Sequence, residues 1–255
     1  KYFKTKIDNA KKNPHYFEPD GLTIFVGPQG SGKTLSAVQY VKKVLKDYPK
    51  AKLVTNISIK DYLIITYEEF LFNNVLEDNE ISHTRYFNEN RVFPFNNADD
   101  LEIYDNGELG VIYFIDEIHL YFNSLESKNI NMDTMTVFAQ QRKCRKHIVA
   151  TSQVFGRMAK PLREQFSNVI KCQCYLGFLQ INKFIDRDSI LENTDDSHLE
   201  GKVRRRYFWF HSYKYYNDYD TYYLISRNKF IANELKKGDI YDYTTQLPID
   251  SRLTS

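Results

Sequence analysis

Apolar positions along the chain fall into short unbroken runs, and between several of them the spacing changes to that of a helix. Leu22 to Val26 is such a run and ends at Gly27, which predicts a buried strand. From Lys33 the pattern becomes helical: Val38, Val41 and Leu45 share one face, Lys42, Lys43 and Lys46 the other, and Pro49 closes the segment. Lys52 to Ile57 predicts a second strand. Val111 to Ile115 is continuously apolar, as in a strand covered on both faces, and it stops at Asp116-Glu117. Met132, Met135 and Phe138-Ala139 recur at helical spacing up to Gln141, and His147 to Thr151 is strand-like and terminates at Ser152-Gln153. Asn168 to Leu176, Phe178 to Ile185, Val203 to Tyr213 and Tyr219 to Ser226 predict further strands. Tyr67 to Phe72 reads as a helical turn, whereas Asn73 to Asn106 has no clean period and reads as an irregular excursion within 67–109.

Strands alternating with helices imply an α/β fold with a mostly parallel sheet and helices on both faces. Ligands in such sheets sit at the carboxyl ends of the strands. The loop at Gly27, the Asp116-Glu117 pair and Gln153 each follow a predicted strand, so three motifs converge on one rim. The expected organisation is an amino-terminal arm over 1–19, a core over 20–186, a polar, acidic linker or loop over 187–200 and a small β-rich extension over 201–255.

Composition narrows the setting without naming a partner. The chain has 255 residues, 42% hydrophobic and 27% charged, as expected of a soluble globular protein. No run approaches the length needed to cross a bilayer, and Lys1 to Lys12 is basic and polar without the apolar region of a signal peptide, so a cytoplasmic location is expected. Cys144, Cys172 and Cys174 have the spacing of neither a zinc site nor a disulfide framework; Cys172 and Cys174 are expected to be small core residues on one face of a strand. The histidines are scattered without metal-ligand spacing. A net charge of +2 decides nothing, but two basic patches stand out, Arg142 to His147 and Lys202 to Arg206.

The chemistry begins at Gly27-Pro28-Gln29-Gly30-Ser31-Gly32-Lys33-Thr34, a G-x-x-x-x-G-K-[ST] pattern between a strand and a helix. Glycines there let successive backbone N–H groups turn toward phosphate oxygens, and the helix adds its positive end. Lys33 should reach the β- and γ-phosphates of ATP, and Thr34 should offer its hydroxyl to Mg²⁺. Asp116, after an apolar strand, suits the Mg²⁺ shell. Mg²⁺ needs only one carboxylate here, so Glu117 is the candidate base that polarises the attacking water. Gln153 could bond to the γ-phosphate or to that water; on spacing alone it could equally be a polar strand end. Arg142 and Arg145 could reach a neighbouring subunit's phosphates as arginine fingers, or could form a solvated basic helix end. Arg157 and Arg163 are weaker candidates. Arg204-Arg205-Arg206 followed by Tyr207-Phe208-Trp209-Phe210 combines phosphate partners with stacking surfaces, although aromatics at strand spacing also build cores.

The phosphate loop, Ile115-Asp116-Glu117, the arginines of 142–147 and Thr151-Ser152-Gln153 occur in the order and spacing of a known group. In them the chain resembles the FtsK–HerA superfamily of DNA-pumping ATPases. The likeness is greatest to the Zot-like assembly proteins of filamentous phages and to small viral genome-packaging ATPases; Tyr219-Asp220-Thr221-Tyr222 also looks like a feature of the Zot-like proteins. The resemblance covers roughly residues 20 to 226 and implies a RecA-like (ASCE-type) P-loop NTPase core in a homo-oligomeric ring. The glutamine would act as sensor and an arginine upstream of its strand would act in trans. It implies double-stranded DNA as substrate and a viral portal or capsid vertex as docking partner. Zot-like proteins usually continue into a membrane-spanning segment, and none is visible in this sequence, which favours a packaging motor over virion extrusion at the host envelope. A small-molecule phosphotransferase is a further alternative that Glu117 argues against, since a water-activating carboxylate suits hydrolysis; a non-hydrolysing nucleotide-gated scaffold is another.

Overall fold

In a computed structural model of the chain, the described residues are 17–18, 21–59, 91–122, 132–190, 199, 201–216, 218–220, 241–242 and 247–248. The sequence expectations for 1–16, 67–72 and 73–90, and those for most of 191–200 and of the segment beyond Asp220, fall outside them. Strand β1 (Thr23–Val26) leads through the glycine loop into helix α1 (Lys33–Asp47). There follow β2 (Lys52–Thr55), the short β3 (Ser58–Ile59), β4 (Val92–Pro94), α2 (Asp100–Ile103) and β5 (Val111–Ile115). Helix α3 (Met132–Gln140), β6 (Lys146–Ser152), α4 (Lys160–Arg163), β7 (Asn168–Tyr175), β8 (Leu179–Ile185) and β9 (Val203–Phe210) complete the main frame.

One sheet of eight strands in the order β4-β2-β5-β6-β1-β7-β8-β9 organises the molecule. The six strands from β4 to β7 are mutually parallel, and β8 and β9 add antiparallel pairs. The strand that precedes the glycine loop and the strand that ends at Asp116 are not neighbours, because β6 lies between them. With helices packed on the parallel strands this is a RecA-like P-loop core.

Both faces of the central parallel strands are covered, which explains why β5 and β6 are buried at every position. Val38, Val41 and Leu45 lie on the α1 side with Phe25, Leu53, Ile112, Phe114 and Val149. Ile24, Val54, Tyr113, Ile115, Ile148, Phe138 and Leu162 build the opposite core. Alternate residues of each strand thus feed opposite layers, and each fully buried aliphatic or aromatic side chain adds about 1.5–3 kcal/mol.

Three sequence expectations change. Part of the stretch read as irregular holds β4, an edge strand that pairs with β2 from Val92 to Pro94. It is too short to show a period, and its Pro94 lacks the N–H that a central strand would need. Val203–Phe210, placed beyond the core by composition, is the eighth strand of the same sheet, because β8 supplies its partner edge from Leu179 to Ile185. Cys172 is fully buried with its thiol pushed up to about 12 by burial, while Cys174 on the same side is only half-buried.

Candidate functional site

The loop after β1 has the form its glycines require. Gly32 holds a left-handed backbone, φ 75°, and a side chain there would also strike the buried amide of Gln180. At Gly27 the requirement is closeness: an added Cβ would come within 2.8 Å of the Cys172 carbonyl. Gly32 is the N-cap of α1 without a side-chain cap, and the first turn of that helix carries no acidic residue. Its amide donors and positive dipole end therefore favour an anion. The Ser31 hydroxyl is buried without a hydrogen-bond partner among the described residues. A loop with an unsatisfied buried hydroxyl and an uncapped helix start is a cradle that fits phosphate.

Across the rim, β5 delivers its two acids to that loop. Lys33 Nζ lies 2.9 Å from Glu117 Oε1, an ion pair that is largely withdrawn from solvent. Thr34 donates to Asp116 Oδ1 at 2.9 Å, and Thr151 donates to the same oxygen at 2.7 Å. Burial raises the Asp116 carboxyl pKa and Glu117 adds to the rise; the hydrogen bonds from Thr151 and Thr34 and the charge of Lys33 oppose it. Hydroxyl and carboxylate oxygens are the hard donors Mg²⁺ takes, usually with one or two carboxylates and the substrate's phosphates. Among the described residues no group of three or more His, Cys, Asp or Glu could hold a metal.

Glu117 is the most constrained residue of the rim. Its backbone is left-handed, φ 53°, where a non-glycine residue costs about 1–2 kcal/mol. Its N–H donates to Thr151 Oγ1 at 2.9 Å. Its carboxylate accepts from the Gln153 backbone at 3.2 Å and from the Gln153 side-chain amide at 3.3 Å, and His119 Nδ1 lies 3.3 Å from it. Gln153 is thus joined to Lys33 through the acid between them.

The same rim uses residues that the motif pattern did not single out. Asn56, just past β2, brackets the Asp116 peptide: its carbonyl accepts from Asp116 N and its amide donates to Asp116 O, both at 2.8 Å. Gln180 donates to the Ser31 carbonyl at 3.0 Å and to Asn182 Oδ1 at 2.8 Å. Asn182 in turn donates to Ser36 Oγ at 3.0 Å and to Tyr207 Oη at 2.7 Å. His211 Nε2 lies 3.0 Å from Gln180 Oε1. The signal was present: two amides sit at alternate positions of β8, where an apolar side chain would suit a covered face. They stay paired because a buried amide without partners costs about 1–3 kcal/mol.

The arginines are not brought to this site. Arg142 and Arg145 precede β6, whereas Gln153 follows it, so the length of a seven-residue strand, about 20 Å, separates them. Arg142 pairs with Glu18 at 3.3 Å and Arg145 donates to the Phe17 carbonyl at 3.3 Å. They line a cavity with Lys143 and Lys146 on the opposite rim. Within one subunit neither arginine faces the glycine loop. Arg163 lies with its guanidinium 6.0 Å from the Phe155 ring, in the helical layer.

A family model described as Zonular occludens toxin (Zot) matches residues 21–186, more than half of the chain. The chain belongs to the Zot family. Its core is accordingly that of a P-loop ATPase, as the resemblance read from the motifs implied. No curated protein matches it. Among solved structures, this Zot-family chain is similar to the N-terminal domain of zonular occludens toxin from Neisseria meningitidis at 16% identity and a TM-score of 0.46, over 78% of this chain and 98% of that one. It is also similar to the genome packaging NTPase B204 from Sulfolobus turreted icosahedral virus 2 in complex with ATP-gammaS, at 17% identity and a TM-score of 0.43, over 60% and 75% of the two chains. Among the described residues no helix is long and apolar enough to cross a membrane.

Proposed function

We propose that this protein hydrolyses Mg²⁺-ATP and couples hydrolysis to movement of DNA through a homo-oligomeric ring, as in viral genome packaging. The observation that carries the reading is the 2.9 Å contact of Lys33 with Glu117, beside Thr34 and Asp116. A phosphate-gripping cation and a second carboxylate beside the Mg²⁺-binding acid, on one rim, are the two parts that hydrolysis needs.

In this reading the backbone of Gly27 to Thr34 holds the phosphates, and Lys33 neutralises charge on the transferring group. Thr34 and Asp116 would hold Mg²⁺, which when bound neutralises charge on the β- and γ-phosphates. Glu117 accepts a proton from the attacking water, and Gln153 fixes the orientation of that carboxylate through its two donors. A seated triphosphate competes with Glu117 for the Lys33 ammonium, so binding frees the base that hydrolysis uses. Arg142 or Arg145 can contribute only from a neighbouring subunit, since its own rim faces away from the loop.

Membership in the Zot family favours a second reading, an assembly or extrusion ATPase acting at the host envelope. Steady-state ATP turnover with and without DNA, for wild type and Glu117→Gln, separates the two. Stimulation by DNA, lost in the variant, supports the motor; turnover indifferent to DNA supports the envelope reading; no turnover in wild type removes both. The trans arginine is checked by mixing Lys33→Ala subunits with Arg142→Ala, Arg145→Ala subunits. Each alone should be inactive and the mixture should regain activity, because one class of its interfaces is complete.

A further inference from the structure

The basic and aromatic run Arg204 to Phe210 left two readings open, core or base platform, and strand alternation in β9 divides it between them. On the α1 side, Tyr207 meets Asn182, the Arg205 guanidinium lies 4.4 Å from the Phe184 ring, and Trp209 packs against His211 and Tyr215. That half is committed to the fold. The other half points away from it. Phe208 is 70% exposed and Phe210 61%, although side chains of this size are normally buried. Phe178 lies nearly parallel to Phe210, ring centroids 6.2 Å apart at 19°.

The register extends this outer half into a platform. Phe210 is opposite Leu179 and Phe208 opposite Ile181, while Arg206 is opposite Lys183, which is itself opposite Lys171. Two exposed rings one pleat apart, about 7 Å, are therefore flanked along the strands by a row of cations. Leu179 and Ile181 lie beside the rings on β8, and beyond them on β7 stand Gln173 and the exposed Tyr175, whose hydroxyl donates to Gln173 at 3.4 Å.

We infer that the outer face of β7–β9 binds single-stranded DNA, with bases stacked on Phe208 and Phe210 and the backbone phosphates against Arg206 and Lys183. Charge complementarity selects this occupant: the row Lys171, Lys183 and Arg206 crosses the strands one pleat beyond Phe208, so phosphates lying on that row leave the bases to turn out along β9 over the rings. A duplex keeps its base faces covered and would use only the cations. The residues directly opposite the two rings, Leu179 and Ile181, offer a 2′-hydroxyl no partner, so DNA and not RNA is assigned. The inference adds the strandedness of the substrate to the proposed DNA motor. It is measured without nucleotide, so its failure is distinct from failure of the ATPase reading.

The test is fluorescence anisotropy of a labelled oligo-thymidine with the full chain, wild type against a Phe208→Ala, Phe210→Ala double variant. Both positions are exposed, so the variant should melt with the wild type. Affinity should fall by about tenfold or more. Arg206→Gln should make the salt dependence shallower by about 0.7 in the log–log slope, one phosphate contact fewer. Unchanged oligo-thymidine affinity in the double variant overturns the inference. So does equal binding of duplex, or tighter binding of oligo-uridine. Dissociation of a wild-type oligomer by the double variant, without change in oligonucleotide affinity, would mean that the face meets a second copy of the chain. Binding of anionic phospholipid vesicles, but not oligonucleotide, through the two rings would mean that it meets a lipid surface.

Discussion

The parallel half of the sheet and its antiparallel flank solve different problems with similar residues. From β2 to β1, strands are covered on both faces and polar side chains gather at their termini: Asn56, Asp116, Thr151 and the loop at Lys33 at the carboxyl ends, Lys52, Lys146 and His147 at the other. In β8 and β9 polar residues run through the strand itself, with Gln180 and Asn182 buried on one face and Lys183 and Arg206 on the other. In the parallel half, chemistry is concentrated at a rim. On the flank it is split between two faces: one supports the Ser31 carbonyl from beneath, and the other is open. A strand covered on one side only can serve a site and a surface together.

Several substitutions would break or sharpen this contrast. The largest effect is expected at the rim: Glu117→Gln should lower kcat for ATP by roughly a hundredfold to ten-thousandfold. Binding of a fluorescent ATP analogue should survive, and its loss would show the acid to be structural. Next comes the junction of the two halves. Gly32→Ala meets both a positive φ and the Gln180 amide, whereas Gly30→Ala meets a positive φ of 77° in open space. Gly30→Ala should cost about 1–2 kcal/mol and Gly32→Ala more, because overpacking adds about 1–3 kcal/mol. Equal midpoints in urea would mean that the flank does not press on the loop.

Gln180→Leu should cost about 1–3 kcal/mol by leaving Asn182 and the Ser31 carbonyl short of a donor. Lys183→Ala, its outward-facing counterpart three positions on, should stay within about 0.5 kcal/mol. The smallest effect concerns pH. Burial holds the His211 pKa below its ordinary 6.5, so the unfolded chain takes up this proton more readily than the folded one. Stability from this group should therefore decline as pH falls below about 6.5 toward the folded value, and remain level above it. His211→Gln should flatten that part of the profile in a pH series of thermal melts.

Much of the rim was legible in the chain. A glycine pattern between an apolar run and a helical stripe admits few backbone paths, and an unbroken apolar run such as Val111 to Ile115 must lie inside a covered sheet. Local rules therefore located Lys33, Thr34, Asp116 and Glu117, and the order of the motifs carried the likeness to Zot-like ATPases. Other features depended on register. The pairing of β8 with β9 decides that Gln180 faces the loop while Lys183 faces out, and a slip of one residue would reverse both. Likewise, only the insertion of β6 between β1 and β5 brings Gln153 to Glu117, and only the length of β6 sends Arg142 and Arg145 to the far rim. Spacing along a chain fixes what neighbours in sequence do. Contacts between segments more than a hundred residues apart, such as Ser31 with Gln180, are set by which strand edges meet, and that is a property of the packed sheet.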